Sequence, residues 1–180
     1  MDEAALVKLV KQGDEDAFRI LISKYKPVVE RFAYQFGLHP EVVGDVTQEV
    51  FIKIHRSIHS FYGGVFTTWL YQITLNATRD YYRKNKRERE KWKKLVLQHP
   101  TKVQNQVMMS GENELLHQCI GQLKVNYRIA IILYYFHDKS YEEIARITKA
   151  NLSTVKTRIR RAKEQLKKLY EEREEDHANE

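Results

Sequence analysis

The sequence predicts an all-α protein with two small helical domains joined by a flexible linker. Apolar residues recur every three or four positions over long stretches, which is typical of helices with one buried face. Only 7 glycines and 3 prolines occur among 180 residues, too few for the closely spaced turns of a β-sandwich or for a glycine-rich nucleotide-binding sheet. We predict a first domain over residues 1–95, a linker over 96–112, a second domain over 113–170 and an acidic tail, expected to be frayed, over 171–180.

Composition and charge exclude several classes of protein. Hydrophobic residues make up 42% of the chain and charged residues 31%, which suits a helical core with a very polar exterior and argues against disorder. The net charge is +7, as expected of small basic domains. No stretch approaches the roughly 18 apolar residues that span a bilayer, and Met1-Asp2-Glu3 does not lead into an apolar segment, so we expect neither a membrane protein nor an exported one. Cys119 is the only cysteine, so we expect no intrachain disulfide and a cytoplasmic location.

Residues 3–36 predict two helices, divided at Gly13. Asp14 is a suitable N-cap for the second helix, because its carboxylate can accept hydrogen bonds from the free N–H groups of the first turn. Pro27 is expected to kink or divide this helix.

Gly37 suits a left-handed helix end, and Pro40 suits the first position of a third helix that runs to about Ile58. The paired glycines of the segment 60–65 predict a loop whose backbone can approach another molecule closely. Thr67 or Thr68 could cap the helix that follows.

The second domain carries a helix–turn–helix pattern. Ser140 and Glu143 have the spacing of a capping box, which predicts that a short helix begins at Tyr141 and ends near Thr148. A four-residue turn follows, and a long helix is expected to begin at Ser153.

The long helix predicts a surface for duplex DNA. Lys and Arg can neutralise phosphates or reach guanine edges in a major groove, and short hydroxyl side chains can bind phosphates or bases. The alternative is a solvated basic face on an ordinary bundle helix, which the capped short helix and the turn make less favourable. The candidate residues are Ser153, Thr154, Lys156, Thr157, Arg160 and Arg161.

In the first domain, aromatic residues alternate with cations, a combination used to bind single-stranded nucleic acid. Phe66, Trp69 and Leu70 fall on the apolar side of their helix and are better read as core, whereas Tyr81 and Tyr82 could make contacts. The exposed candidates on the helix are Asn76, Asp80, Arg83 and Lys84.

The third helix presents a polar face that is either a protein-docking surface or an unremarkable amphipathic face. Its residues are Asp45, Gln48, Glu49 and Lys53.

Evidence for catalysis is weak. His55 and His59 are four residues apart and could share a helical face, but solvent-exposed histidines explain the pair equally well. No phosphate-binding loop, serine elbow or activated-cysteine motif is present. We therefore expect no enzyme activity, no metal, no cofactor and no small-molecule substrate.

Two ordered sets of motifs resemble a known family. The segments 45–51 and 66–73, with Asn76, Asp80, Arg83 and Lys84, are similar to the σ2 domain of extracytoplasmic-function (group IV) sigma factors of the sigma-70 family. The pair Tyr127-Arg128 and the segments 140–145 and 154–162 are similar to their σ4 domain. The two sets occur in the family's order and cover most of the chain from about Asp14 to Leu169.

The resemblance implies a transcription initiation factor without activity of its own. It implies that the face of Asp45, Gln48, Glu49 and Lys53 docks on the β′ clamp helices of core RNA polymerase, and that σ4 meets the β flap. It further implies −10 recognition and melting by the σ2 loop and helix, −35 recognition by the σ4 helix, and an anti-sigma factor as a partner. The residues implied for the −10 element are Phe61, Tyr62, Gly63, Gly64, Asn76, Asp80, Arg83 and Lys84.

Two other functions remain open from the sequence. One is a stand-alone helix–turn–helix regulator that binds a palindrome without polymerase. The other is a small metal-dependent nucleic-acid enzyme that uses His55 and His59.

Overall fold

The computed structural model describes the backbone of residues 2–96 and 111–178 and the side chains of residues 2–84 and 115–173. All regular secondary structure in those ranges is helical, which confirms the all-α prediction. The elements in chain order are α1 (Glu3–Lys11), α2 (Glu15–Phe36), α3 (Pro40–Ser57), a 3₁₀ turn (Ile58–Ser60), α4 (Phe66–Val96), α5 (Gly111–Gln122), α6 (Val125–Ile131), a π-helical segment (Ile132–Phe136), α7 (Tyr141–Thr148) and α8 (Leu152–Ala178).

The predicted helix ends in the first half are mostly confirmed. The Asp14 carboxylate accepts a hydrogen bond from the Ala17 N–H at 2.9 Å, and Gly37 ends α2 with a φ of 107°. Pro27 does not divide α2, which continues through it as one helix. The proposed threonine caps of α4 are wrong, because α4 begins at Phe66, before either threonine. The amides of Thr68 and Trp69 donate to the Val65 carbonyl.

Two predictions concern the ends of the second half. The linker predicted over 96–112 lies outside the described residues except for Val96, which ends α4, and for 111–112, which begin α5. The predicted acidic tail begins within α8, whose backbone extends to Ala178. Two salt bridges support this extension, and each joins residues one helical turn apart: Lys167–Glu171 at 3.6 Å and Lys168–Glu172 at 3.7 Å.

The buried residues form two clusters, and the second crosses the predicted domain boundary. The first cluster packs α1, α2, α3 and α4 together around Leu21, Val50 and Ile54. The second joins Phe32 and Phe36 of α2, and Tyr71 and Leu75 of α4, to apolar residues of α6, α7 and α8. The two predicted domains therefore share a hydrophobic core. The residues contributed from the second half are Ile120, Leu123, Ile129, Ala130, Ile131, Ile132, Leu133, Ile144, Ile147, Val155, Ile159 and Ala162.

Arg128 is a buried cation at this shared core and is only 3% exposed. Its guanidinium donates to the Phe36 carbonyl at 2.8 Å, to the Gly121 carbonyl, and to the Leu123 carbonyl at 3.3 Å. The guanidinium also lies 5.2 Å from the centre of the Tyr82 ring. One side chain thus satisfies carbonyl groups at the ends of α2 and α5, which would otherwise lack donors.

His137 is the second polar group buried at the shared core, at 5% exposure. Its Nε2 lies 2.9 Å from Oε1 of Gln35, and its Nδ1 lies 2.8 Å from the Tyr71 hydroxyl. Because Oε1 can only accept, Nε2 carries the proton and Nδ1 accepts from Tyr71. Burial, together with the charges of Arg31 and Lys139, lowers the pKa of His137 to about 4. The imidazole is therefore neutral at physiological pH.

Replacing Arg128 with Met should lower the free energy of unfolding by about 3 kcal/mol, because buried carbonyls would lose their charged donor. Urea unfolding measures the change. The matched control is Arg19→Met, which removes a guanidinium that is 75% exposed and should change stability by less than about 0.5 kcal/mol. A loss below about 1 kcal/mol for Arg128→Met would contradict the role given to this cation.

His137 should make stability depend on pH. Its pKa is about 4 in the folded chain and 6.5 in the reference state, so the unfolded chain binds a proton first as the pH falls. Stability should be unaffected above pH 7 and should decrease by about 3 kcal/mol between pH 6.5 and pH 4. Urea unfolding of the wild type and His137→Gln across this range measures the effect. Between pH 6.5 and pH 4, the free energy of unfolding of His137→Gln should decrease less with falling pH than that of the wild type. Parallel curves of unfolding free energy against pH for the two proteins would show that His137 does not cause the pH dependence.

Candidate nucleic-acid interface

The predicted helix–turn–helix is formed by α7 and α8. Ser140 accepts from the Glu143 N–H at 3.2 Å while the Glu143 carboxylate accepts from the Ser140 N–H at 2.9 Å, so the capping box is confirmed. Lys149 ends α7 in the left-handed region with a φ of 52°. Asn151 then caps α8, since its side-chain oxygen accepts from the Thr154 N–H at 2.7 Å. Helix α8 therefore begins at Leu152, one residue before the predicted start at Ser153.

The candidate DNA-binding residues of α8 lie on its outer side. Val155 and Ile159 point into the core, whereas five of the six candidates are exposed and Thr154 is half-buried. Arg160 is paired with Glu164 at 2.8 Å, which offsets part of its charge. Among the described side chains, neither Lys156 nor Arg161 forms an ion pair, so both cations are free to meet phosphates or guanine edges. The exposed candidates are Ser153, Lys156, Thr157, Arg160 and Arg161.

The loop before α4 presents one aromatic ring to solvent. Tyr62 is 85% exposed, whereas the Phe61 ring packs 5.2 Å from Trp69 and 5.9 Å from Phe66. Gly63 and Gly64 follow with φ values of 69° and 84°, which other residues adopt at a cost in strain. Phe61 therefore anchors the loop, and Tyr62 with the glycine backbone forms its contact surface.

A groove of about 480 Å³ lies between this loop and α4. Gln72 and Arg146 line it together with Thr68 and Trp69, and Gln72 donates a hydrogen bond to the Arg146 carbonyl at 2.9 Å. Arg146 belongs to α7, so the helix–turn–helix closes one side of the groove. No local sequence signal could have placed Arg146 here, because 74 residues separate it from Gln72.

The remaining candidates on α4 form an exposed row. Asn76, Asp80, Arg83 and Lys84 are all exposed, and Arg83 is hydrogen-bonded to Asp80. This row places cations and hydrogen-bonding groups along one side of the helix.

Two other residues of α4, Arg79 and Tyr82, face the second half of the chain, whereas Tyr81 packs against the first hydrophobic cluster. Arg79 is half-buried and donates to Asn126 at 3.1 Å, and burial together with Arg158 and Arg83 lowers its pKa. Tyr81 and Tyr82 are both partly buried, and the Tyr82 ring lies 5.5 Å from that of Phe36. The structure thus places Tyr82 in the shared core, contrary to the expectation that it is free for contact.

The polar face of α3 is exposed as predicted. Asp45, Gln48 and Glu49 are exposed, and Lys53 is half-buried and forms a 2.6 Å ion pair with Glu49. A groove of about 470 Å³ between α2 and α3 adjoins this face. Apolar residues line much of it, and one of them, Ile52, is 43% exposed. Exposed apolar surface rimmed by polar groups is typical of a protein-docking site.

The described residues give no support to a metal centre. No group of three or more His, Cys, Asp or Glu side chains among them is arranged to hold a metal ion. His55 packs against the Phe18 ring with 4.9 Å between ring centres, and His59 is exposed. Cys119 is buried, and burial raises the pKa of its thiol. Within the described ranges, no helix has both the length and the apolar content needed to cross a membrane.

Comparison with protein families and curated proteins gives a consistent result. Sigma-70 region 2 matches residues 21–88, and Sigma-70, region 4 matches residues 113–166. The ECF RNA polymerase sigma-E factor of Haemophilus influenzae is 32% identical over 178 residues, which covers 92% of this chain and 94% of that protein. The ECF RNA polymerase sigma factor SigW of Bacillus subtilis is 32% identical over 174 residues, covering 90% of this chain and 93% of that protein.

Solved structures share the fold. CnrH, in complex with the cytosolic domain of CnrY, superposes with a TM-score of 0.72 at 24% identity over 93% of this chain and 96% of its own. RpoE of Bartonella quintana, in complex with the anti-sigma factor NepR, gives a TM-score of 0.67 at 24% identity, covering 86% and 96%. Since relatives more than 30% identical match both halves in order, the chain belongs to the ECF family of RNA polymerase sigma factors.

Proposed function

We propose that this protein is an alternative sigma factor that binds core RNA polymerase and directs it to promoters through −10 and −35 elements. The observation that carries this function is the presence of three separate exposed surfaces on one chain: the α8 face, the loop with the α4 row, and the α3 face with its apolar groove. Catalysis belongs to the polymerase, and the protein works where polymerase and chromosome meet, in the bacterial cytoplasm.

The α8 face reads the −35 element as duplex in the major groove. Lys156 and Arg161 form no ion pair with any described side chain, Arg160 is held by Glu164, and Thr157 is exposed between them. Ser153 and Thr154 lie in the first turn, where helix amides and short hydroxyls suit a phosphate. Their supporting role is to fix the helix on the DNA backbone.

The loop and the α4 row recognise and melt the −10 element. An unstacked base needs an aromatic face and a groove, and the separated strand needs cations. Tyr62 and the glycine backbone supply the surface for the unstacked base, while Arg83 and Lys84 supply the cations for the separated strand. Asn76 and Asp80 add hydrogen-bonding groups between them.

The α3 face docks on the β′ clamp helices of the polymerase, and the second half of the chain docks on the β flap. The α2–α3 groove supplies apolar area next to Asp45, Gln48 and Glu49. Anti-sigma factors are expected to compete for these surfaces, since solved relatives were captured with NepR and with the cytosolic domain of CnrY.

Binding both promoter elements requires the shared core to open. Elements named for positions −35 and −10 are separated by about 25 base pairs, or about 85 Å of B-form duplex at 3.4 Å per pair. In the structure, α4 and α7 are in contact through Gln72 and the Arg146 carbonyl. The two halves must therefore separate on the polymerase, where linking them raises the effective concentration of the second contact.

Run-off transcription tests the function. Purified bacterial core polymerase is supplied with a library of genomic fragments, with and without this protein, and the start sites are mapped. New starts that share −35 and −10 sequences are expected only when the protein is present. No new starts, together with tight polymerase-independent binding to palindromic fragments, would instead establish a stand-alone regulator.

Lys156→Ala and Arg161→Ala should each weaken −35-dependent transcription by about fivefold to a hundredfold and leave core-polymerase binding unchanged. The affinity of each variant for promoter DNA should depend less on salt concentration than that of the wild type, because fewer counterions are released on binding. Lys168→Ala, which removes a cation about two helical turns beyond Arg161 on α8, is the control. Loss of polymerase binding by the first two variants would contradict the −35 assignment.

Changing Asp45 and Glu49 together to Lys should reduce affinity for core polymerase by at least about tenfold while leaving thermal stability nearly unchanged, because both side chains are exposed. A competition assay against the wild-type protein measures the affinity. Glu171 and Glu172 changed together to Lys give the same change in net charge on α8 and should bind normally. Equal affinity of the two double variants would remove the α3 face from the docking surface.

A further inference from the structure

Helix α1 has no role in the surfaces described above and precedes the region-2 match, which begins at residue 21. It is nonetheless firmly placed. Leu6, Val7 and Val10 are buried in the first hydrophobic cluster, and the Tyr25 hydroxyl donates to the Glu3 carboxylate. A helix fixed at both its apolar face and its first turn can serve as a rigid support for whatever its last residue touches.

That last residue is Lys11. It makes two contacts with residues 61–65, the loop proposed to recognise the −10 element (the −10 loop). Its ammonium donates a hydrogen bond to the Phe61 carbonyl at 2.8 Å and lies 4.7 Å from the centre of the Tyr62 ring. Lys11 is half-buried, so the charge is partly withdrawn from water and both contacts are strengthened. A groove of about 370 Å³ continues from Lys11 to Gly63 and Gly64.

The loop has little else to hold it beyond the anchor at Phe61. Gly63 and Gly64 both have positive φ, and a Cβ built on either one would meet nothing within 4 Å. Glycine in open space is the residue with the most conformational freedom, so packing does not fix the loop on this side. The two contacts from Lys11, to the Phe61 carbonyl and to the Tyr62 ring, form a tether that fixes the position of Tyr62.

We infer that Lys11 is a positioning residue for −10 recognition, holding Tyr62 as a stacking platform for an unstacked base. This inference rests on the proposed function. The cation covers part of one ring face, and the ring remains 85% exposed, which leaves π-surface for a base. Lys11 acts through Tyr62 and contacts no base itself.

A simpler role would be a direct contact between Lys11 and a phosphate. The two roles differ in salt dependence, because a lost phosphate contact lowers the slope of log affinity against log salt by about 0.7 for a single strand. A lost tether lowers affinity without changing that slope. They also differ in their coupling to Tyr62, which a double-mutant cycle measures.

The first measurement uses the free full-length protein and does not depend on any promoter. Amide hydrogen exchange is compared for the wild type, Lys11→Met and Lys8→Met. Methionine keeps the aliphatic stem and removes the ammonium, and Lys8 is an exposed lysine of the same helix. Exchange of the Phe61 amide, which donates to the Ile58 carbonyl at 3.1 Å, should become several-fold faster in Lys11→Met alone. Equal protection in all three proteins would overturn the tether.

The second measurement uses holoenzyme made with core polymerase and a forked promoter fragment from the run-off experiment, with its −10 strand single-stranded. Lys11→Met should weaken binding about tenfold at an unchanged salt slope, and Lys8→Met should bind like the wild type. In a Tyr62→Ala background, Lys11→Met should have no further effect.

The outcomes separate the inference from the function on which it rests. A wild-type holoenzyme that starts no transcription would reject the proposed function and, with it, the −10 role of Lys11, whatever the exchange data show. An active wild type with Lys11→Met equal to Lys8→Met would reject the inference alone. A reduced salt slope, or an effect of Lys11→Met that persists in Tyr62→Ala, would also overturn it.

Discussion

The structure depends on one buried cation. Arg128 can lie in the interior only if its donors find acceptors, and the nearest are the carbonyls of Phe36, Gly121 and Leu123. Arg128 must therefore meet the end of α2, 92 positions away in the chain, as well as the carbonyls just before α6. The Phe36 and Tyr82 rings flank the guanidinium and bring α4 into the same arrangement. Once α4 is in place, Tyr71 meets His137, and the remaining apolar residues of the second cluster close around them.

This arrangement divides the surface of each half of the chain. The inner sides are apolar with a few polar groups, among them the hydrogen-bonded ring of His137, and they cover each other. The outer sides keep the exposed cations of α8, the polar face of α3 and the exposed Tyr62 in water. The packed form thus keeps the proposed contact residues soluble and accessible, while Arg146 from α7 occupies one wall of the groove beside the −10 loop. Opening the core would expose that groove fully and separate the two proposed DNA-binding surfaces.

The contact surfaces depend on supports that have no contact role of their own. Asn151 orders the first turn of α8, Phe61 fixes one end of the −10 loop, and Lys11 holds its tip from α1. Each support is a local interaction of one side chain, so the geometry of each surface can vary while the helical framework stays the same. This separation of framework and contact residues is consistent with sequence identities near 32% among relatives of nearly equal length.

Local sequence determined most of the helical framework and much of the candidate site. Periodicity gave the apolar faces, and the spacing of Ser140 and Glu143 and the position of Gly37 gave helix ends, because these signals act within one or two turns. The exposed candidates on α3, α4 and α8 followed from the same periodicity. Tertiary structure decided the burial of Arg128, His137 and Tyr82, the position of Arg146 and the tether from Lys11. Those residues lie beside partners 46 or more positions away in the chain, except where Arg128 bonds nearby carbonyls, and no local pattern encodes such a contact.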